Sequence, residues 1–301
     1  MRLVVTGREG QVVRSLVERS PAGVEVVRLG RPELDLAGPA EGIVSAIEAA
    51  QPDVIVSAAA YTQVDKAESE PELAFAINQD GARAVAHAAH KLAVPLIHLS
   101  TDYVFDGAKP APYFEEDATG PTGIYGASKL AGEQAVLAEH PESAVLRTAW
   151  VYSPFGSNFL KTMLRLADSR DEIGVVADQR GNPSSALEIA DAIFAIAANL
   201  CASQGAQQRG IFHMVGTGDA SWAEFADAIF ACSAELGGPT ATVRHIAAAD
   251  YPTPARRPAN SRLDCTKLEH AHGVRLPHWQ ASMKEVLARL LGPAPEGASS
   301  E

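Results

Sequence analysis

Little in this chain can staple it covalently. Cysteine occurs three times in 301 residues, at Cys201, Cys232 and Cys265. The number is odd and no metal or redox spacing joins the three, so inert thiols in a reducing compartment are expected. Basic charge is also short: 25 Lys and Arg stand against 37 Asp and Glu, a net charge of -12. No Lys/Arg run occurs, so the chain is not expected to bind nucleic acid, and any phosphate must be held by local groups. The longest apolar stretches are alanine-rich and broken by charge, so no membrane span is expected. Leu3-Val4-Val5 enters a strand almost at once, so no signal peptide is expected and the protein is expected in the cytoplasm. What remains, 47% hydrophobic and 21% charged, suits a globular chain with one large or two modest cores.

In the first half, short apolar runs alternate with helical patterns, the signature of a parallel sheet with crossover helices. Strands are predicted at 2–5, 24–29, 54–58, 96–99 and 144–147, with helices at 11–19, 39–50, 72–92 and 124–139. Beyond Tyr152 the pattern loosens. Strands are predicted at 174–176, 210–214 and 243–246, with helices at 159–167, 186–199, 222–234 and 281–291. Pro-rich 251–258 reads as an exposed or lid-like loop, and the tail from Pro293 as disordered. The expected fold class is α/β, a Rossmann-type doubly wound parallel sheet with a smaller α/β C-terminal substrate domain. The nucleotide-binding domain is expected over 1–152 with a returning segment near 183–212, and the substrate domain mainly over 153–301. Such sheets bind ligands at the carboxyl ends of their strands.

Thr6-Gly7-Arg8-Glu9-Gly10-Gln11 follows the first strand and opens the first helix. Glycines there permit a tight turn and let backbone N–H groups approach a pyrophosphate at a helix N-terminus. Val13 stands where a third glycine would serve helix–strand packing, so a slightly displaced first helix is expected. An acid about 20 residues further on commonly bonds the ribose 2′-hydroxyl of NAD. Here Arg28-Leu29-Gly30-Arg31 lies at that point, with Glu33 and Asp35 later. Arg31, helped by Arg8 or Arg28, can pair with a 2′-phosphate, which favours NADPH while leaving NADH open.

Of the six tyrosines only Tyr125 has a lysine four residues on, in Tyr125-Gly-Ala-Ser-Lys129. On a helix the two side chains share one face. A phenol titrates near ~10, and an ammonium alongside favours its ionised form. Such a pair delivers a proton to a carbonyl oxygen while hydride reaches the carbon. Thr101 lies 24 residues before Tyr125, at a predicted strand end, where its hydroxyl can bond the substrate oxygen and tune that proton.

These residues resemble the extended short-chain dehydrogenase/reductase superfamily and, within it, the dTDP-4-dehydrorhamnose reductase family. The resemblance rests on Ala58-Ala-Ala-Tyr-Thr62, Val64-Asp-Lys-Ala-Glu-Ser69, Ser100-Thr-Asp-Tyr-Val-Phe105 and Tyr125 to Glu133. It extends to Arg147-Thr-Ala-Trp-Val-Tyr152, Asp178-Gln179 with Pro183, Tyr251 to Pro258 and Asn260 to Leu263. It implies NAD(P)H-dependent reduction of the C4 keto group of dTDP-4-dehydro-6-deoxy-L-mannose to dTDP-L-rhamnose, a dTDP-sugar being the substrate. By the same resemblance Tyr125 donates the proton, Lys129 bonds the nicotinamide ribose, Thr101 tunes the transfer and Asp102 contacts the sugar. Gly7, Gly10, Gln11, Val12, Asp35, Leu36, Ala60, Tyr61, Thr62 and Leu99 would line the cofactor cleft, and Trp150 would pack on the deoxysugar nucleotide. Arg256, Arg257 and Arg262 are candidates for the substrate pyrophosphate, because a guanidinium fork suits two phosphate oxygens.

Some relatives are dimers bridged by Mg²⁺ through three glutamates. The aligned positions here hold Ser15, Leu187 and Arg289, with Glu188 one residue away, so no metal is expected and a monomer and a homodimer both stay open. Two other functions fit the scaffold. One is a non-catalytic regulatory subunit of the methionine adenosyltransferase β type, against which the complete Thr101, Tyr125 and Lys129 set speaks. The other is a nucleotide-sugar epimerase or dehydratase holding NAD tightly, against which the missing acid near Gly30 and the single acid at Asp102 speak.

Overall fold

The computed structural model describes residues 1–202 and 205–292. The disorder expected from Pro293 onward lies outside the described residues. Five strands of the first half, β1 (Arg2–Thr6), β2 (Glu25–Leu29), β3 (Val54–Ser57), β4 (Leu96–Thr101) and β5 (Ala144–Thr148), are joined by Gly210–His213. They form one parallel sheet in the order Gly210–His213, β5, β4, β3, β1, β2. The order reverses at β1 and β3, so the crossover helices cover both faces. Strands buried on two sides read as unbroken apolar runs, which is why β1, β3 and β4 stand out in the sequence.

The pleat sorts their side chains. Leu3, Val5, Val54, Val56, Ile97, Leu99 and Leu146 face helices Gln11–Glu18 and Ala186–Ala202. Ile55, Leu96 and Val145 face helices Ala40–Ala50, Ala82–Leu92 and Ile124–Glu139. A second core gathers Tyr152, Leu160, Phe225, Ile229, Val286 and Leu287. Apart from Tyr152, which lies on the short strand Val151–Tyr152, they come from helices Phe159–Ala167, Trp222–Glu235 and Trp279–Leu291, over a parallel pair of strands, Glu172–Val176 and Thr242–Ile246. Tyr152, which follows β5 closely in sequence, is anchored in this core by donating its hydroxyl to the Trp279 carbonyl at 3.0 Å.

One expected helix is broken. The span 72–92 divides into Pro71–Phe75, a π-helical turn at Ala76–Gly81, and Ala82–Leu92. The extra residue shifts the apolar stripe by one position, a slip that an alanine-rich stretch does not reveal.

Helix Ile124–Glu139 is fixed at its start and midway along it. Its first N–H, on Ile124, donates to Glu68 Oε1 at 2.8 Å, placing a carboxylate at the positive end of the helix dipole. Further along, Glu133 accepts from Arg147 Nε at 2.9 Å and Nη2 at 2.7 Å, and also from the Ser100 hydroxyl. Both charged side chains are within 2% of full burial. Removing one partner strands the other charge in the core, at a cost of ~3–5 kcal/mol. Glu133→Ala is expected to lower unfolding stability by that amount in urea titrations, whereas the exposed pair Arg244–Glu172 should contribute under about 1 kcal/mol when cut.

Candidate active site

Because the sheet is parallel, β1, β3, β4 and β5 end on one edge, and the residues following each strand face the same cleft. After β1, Gly7 takes φ +102°, a conformation that favours glycine. A Cβ there would lie 3.3 Å from Val13 Cγ2, so buried Val13 fills the space beneath the turn. Thr6 Oγ1 accepts from the N–H groups of Ala58 and Ala59, each at 3.0 Å, tying the turn to the end of β3. Gln11 Oε1 accepts from Ser153 Oγ at 2.8 Å and Asn158 Nδ2 at 2.9 Å. Gln11 therefore clamps the turn to the second half of the chain. Val12 is half-buried against the core below.

At the end of β2, Arg8 pairs with Glu33, and Arg28 donates to the Arg8 carbonyl at 3.3 Å. Both are engaged within the loop. Arg31 is 76% exposed, with Asp35 at 4.0 Å. Asp35 also turns the chain by accepting from the Ala37 N–H at 3.0 Å. Leu36 is buried and abuts Gly81, where a Cβ would come within 2.5 Å of the Leu36 carbonyl oxygen.

Sequence reasoning missed Asn78. Its Oδ1 accepts from the Tyr61 N–H at 2.8 Å, and its Nδ2 donates to the Tyr61 carbonyl at 3.1 Å and Ser128 Oγ at 2.9 Å. The segment Ala60, Tyr61 and Thr62 is thereby pinned to the helix carrying Tyr125. The π-helical turn aims Asn78 there. An asparagine inside a helical pattern, a residue that competes for backbone hydrogen bonds, was the available signal.

Thr101 ends β4 and is paired across the sheet with Thr148. Its hydroxyl donates to Asp102 Oδ1 at 2.9 Å and accepts from the Tyr103 N–H at 3.2 Å. Tyr125 and Lys129 point to this strand end from the helix above. Burial holds the Tyr125 phenol well above its ordinary value, and its hydrogen bond with Thr101 pulls the other way. Lys129 Nζ donates to the Leu99 carbonyl at 2.6 Å, and burial pushes the ammonium down to about 8 while Glu133 opposes. Lys129 directs its hydrogen bond to the strand, and the hydrogen bond with Thr101 favours Tyr125 ionisation. Burial also raises Asp102 to about 6, against hydrogen bonds from Ser261 and Thr101.

Segment 255–262 lies across this shelf. Arg257 Nη2 donates to Asp65 Oδ2 at 2.9 Å and Nη1 to the Tyr103 hydroxyl at 3.4 Å. Tyr103 in turn meets the Tyr125 ring edge-on at 5.4 Å. Arg262 is tied to Asn260 Oδ1 at 2.8 Å and the Pro110 carbonyl at 2.6 Å. Arg256 is exposed beside Asp106. Trp150 leaves β5 with φ +49°, its indole stacked on Trp222.

At the positions aligned with bridging glutamates, Ser15 is buried and donates to the Gln11 carbonyl at 2.9 Å. Leu187 is buried in the second core, and Arg289 grips the Glu18 carboxylate. Among the described residues, no group of three His, Cys, Asp or Glu is placed to hold a metal. Burial raises all three thiols above their ordinary value, so none is activated.

The comparisons with known proteins are consistent along the whole chain. The model of the RmlD substrate binding domain matches residues 1–291. The chain belongs to that family. It is 56% identical over 291 residues to a dTDP-4-dehydrorhamnose reductase of Sinorhizobium fredii, covering 97% of this chain and 98% of the relative. Among solved structures, the dTDP-4-dehydrorhamnose reductase of Clostridium acetobutylicum superposes with a TM-score of 0.89 at 34% identity, over 96% of this chain and 99% of that one. The Bacillus anthracis reductase, solved in complex with NADP, gives a TM-score of 0.88 at 34% identity with the same coverage.

Burial of Lys129 has a consequence for stability. With its folded pKa near 8 and an unfolded value near ~10.5, the unfolded chain binds more protons between those pH values. Stability contributed through Lys129 therefore rises with pH across that window. Relative to Lys129→Met, the wild type should gain melting temperature from pH 8 to 10; parallel curves would show that Lys129 titrates normally.

Proposed function

We infer that this protein reduces the C4 keto group of dTDP-4-dehydro-6-deoxy-L-mannose with NADPH, yielding dTDP-L-rhamnose. The observation that carries this is the meeting of Thr101, Tyr125 and Lys129 at one strand end, in a chain whose full length matches reductases of that name.

The cleft suits a dinucleotide phosphate. Gly7 and Gly10 open a helix whose first turn carries no acid, so its N–H groups meet an anion without repulsion. Arg31, exposed and loosely paired, is the group for a 2′-phosphate. Gly7, Gly10, Gln11 and Val12 hold the pyrophosphate, Asp35 and Leu36 border the adenine, and Ala60, Tyr61, Thr62 and Leu99 line the remainder. Bound NADPH supplies the hydride. Residues 1–152, with the returning segment near 183–212, form the cofactor domain, and 153–301 contribute mainly to the substrate site.

Tyr125 enters the reaction with its proton on, as its burial requires, and gives it to the C4 oxygen as hydride reaches C4. Thr101 shares that oxygen's charge. Lys129, charged at neutral pH, holds the nicotinamide ribose and steadies the phenolate left behind. Asp102 and Trp150 orient the sugar, and Arg256, Arg257 and Arg262 meet the substrate pyrophosphate, with Asp65 aiming Arg257. The protein works without a bridging metal, as a monomer or homodimer.

Tyr125→Phe is expected to lower turnover by about 10² to 10⁴ while NADPH binding persists; normal turnover would remove Tyr125 as the donor. Oxidation of NADPH should outpace that of NADH with this keto-sugar, and Arg31→Ala should bring the two rates together. Equal preference before and after the substitution would reassign the 2′-phosphate site, and no oxidation of either cofactor would overturn the reductase reading.

A further inference from the structure

Trp150 is one of only three non-glycine residues at positive φ among the described residues, at +49°. A bulky side chain gains nothing from that conformation by itself, and the strain persists only where surroundings enforce it. Two neighbours enforce it here. The Trp222 indole stacks on that of Trp150 with ring centres 3.5 Å apart and planes 7° from parallel. Gly181 abuts the same indole so closely that a Cβ would lie 2.5 Å from Trp150 Cε2 and 2.6 Å from Nε1. Trp222 is itself fixed, since it opens a helix capped reciprocally by Ser221 and Glu224 and packs on Phe159 with ring centres 4.6 Å apart. Trp222 covers one face of Trp150 and Gly181 stands against the same indole, so the ring is held in one orientation and only its part-exposed remainder is open to a ligand. Trp150 follows Thr148, the cross-strand partner of Thr101, so this orientation is set at the strand end where the proton moves.

We propose that Trp222 is a positioning residue for substrate recognition: by stacking on Trp150 it fixes the indole wall against which the sugar nucleotide docks. The inference rests on the reductase reading. It makes sugar-nucleotide affinity, rather than cofactor affinity or the chemical step, depend on a side chain placed behind the contact surface.

Wild type, Trp222→Ala and Trp222→Phe are compared in steady-state kinetics, in calorimetric binding of dTDP-L-rhamnose and NADPH, and in far-ultraviolet circular dichroism, where stacked indoles give an exciton couplet. Trp222→Ala should lose the couplet and raise KM and Kd for the sugar nucleotide about fivefold or more, an aromatic pair's worth, with NADPH affinity and kcat little changed. Trp222→Phe should recover most of the loss. An unchanged sugar-nucleotide affinity with the couplet gone overturns the proposal, as does an equal loss of NADPH affinity. If Trp222→Ala does not fold, Trp222→Leu against Trp222→Phe makes the same comparison. Failure of the wild type to oxidise NADPH with the keto-sugar sinks the reductase reading instead, and the binding ratios still decide the role of Trp222.

Discussion

A carboxylate and a guanidinium, both almost fully excluded from solvent, hold the helix of Tyr125 and Lys129 across the sheet. Glu133 sits one turn beyond Lys129, Arg147 lies on β5, and Ser100 lies one residue before Thr101 on β4. All three elements that must agree on the position of the proton therefore meet at one buried ion pair. Such a pair adds little to net stability compared with apolar packing, but it tolerates almost no displacement. The arrangement is better understood as a device for register. If the helix slid by a residue, Glu133 would leave Arg147 and Ser100 together, and Lys129 would leave the Leu99 carbonyl.

The same burial that fixes the helix strains its electrostatics. Tyr125 is kept neutral and Lys129 is pushed toward losing its charge, each because the low-dielectric surroundings penalise ionisation. A neutral phenol beside a threonine hydroxyl is the proton-bearing form that a donor needs. Lys129, still charged at neutral pH with its value at about 8, donates to the Leu99 carbonyl instead of to water. The site is therefore costly to the fold, and the ion pair one turn away limits how far the fold can relax around it.

Much of this was legible in the sequence, for reasons that also explain what was not. The β1, β3 and β4 runs are buried on both faces and declare themselves; Tyr125 and Lys129 are close in sequence, so one helical turn brings them together. Thr101 was found through its place at the end of β4. Asn78 was not, because the one-residue slip of a π-helical turn is invisible in an alanine-rich stretch. Gln11's clamp on Ser153 and Asn158, and Trp222's stacking on Trp150, join residues whose proximity depends on how the second core packs against the first. No local spacing encodes that.

The segment 255–262 shows how these long-range contacts complete the site. Its arginines are the anion ligands that the sequence leads one to expect, yet Arg257 and Arg262 are already bonded within the protein. That does not disqualify them. An arginine whose fork is partly satisfied by Asp65 and Tyr103 is oriented before an anion arrives, so less side-chain entropy is lost when it binds. Asp65 also accepts from the Ala255 N–H at 3.2 Å, so one carboxylate sets both the backbone and the guanidinium of this segment. Through Tyr103, that carboxylate is linked to the edge of the Tyr125 ring. The position of the segment and the surroundings of the proton donor are thus two ends of one chain of contacts, and a change at Asp65 should be felt at both.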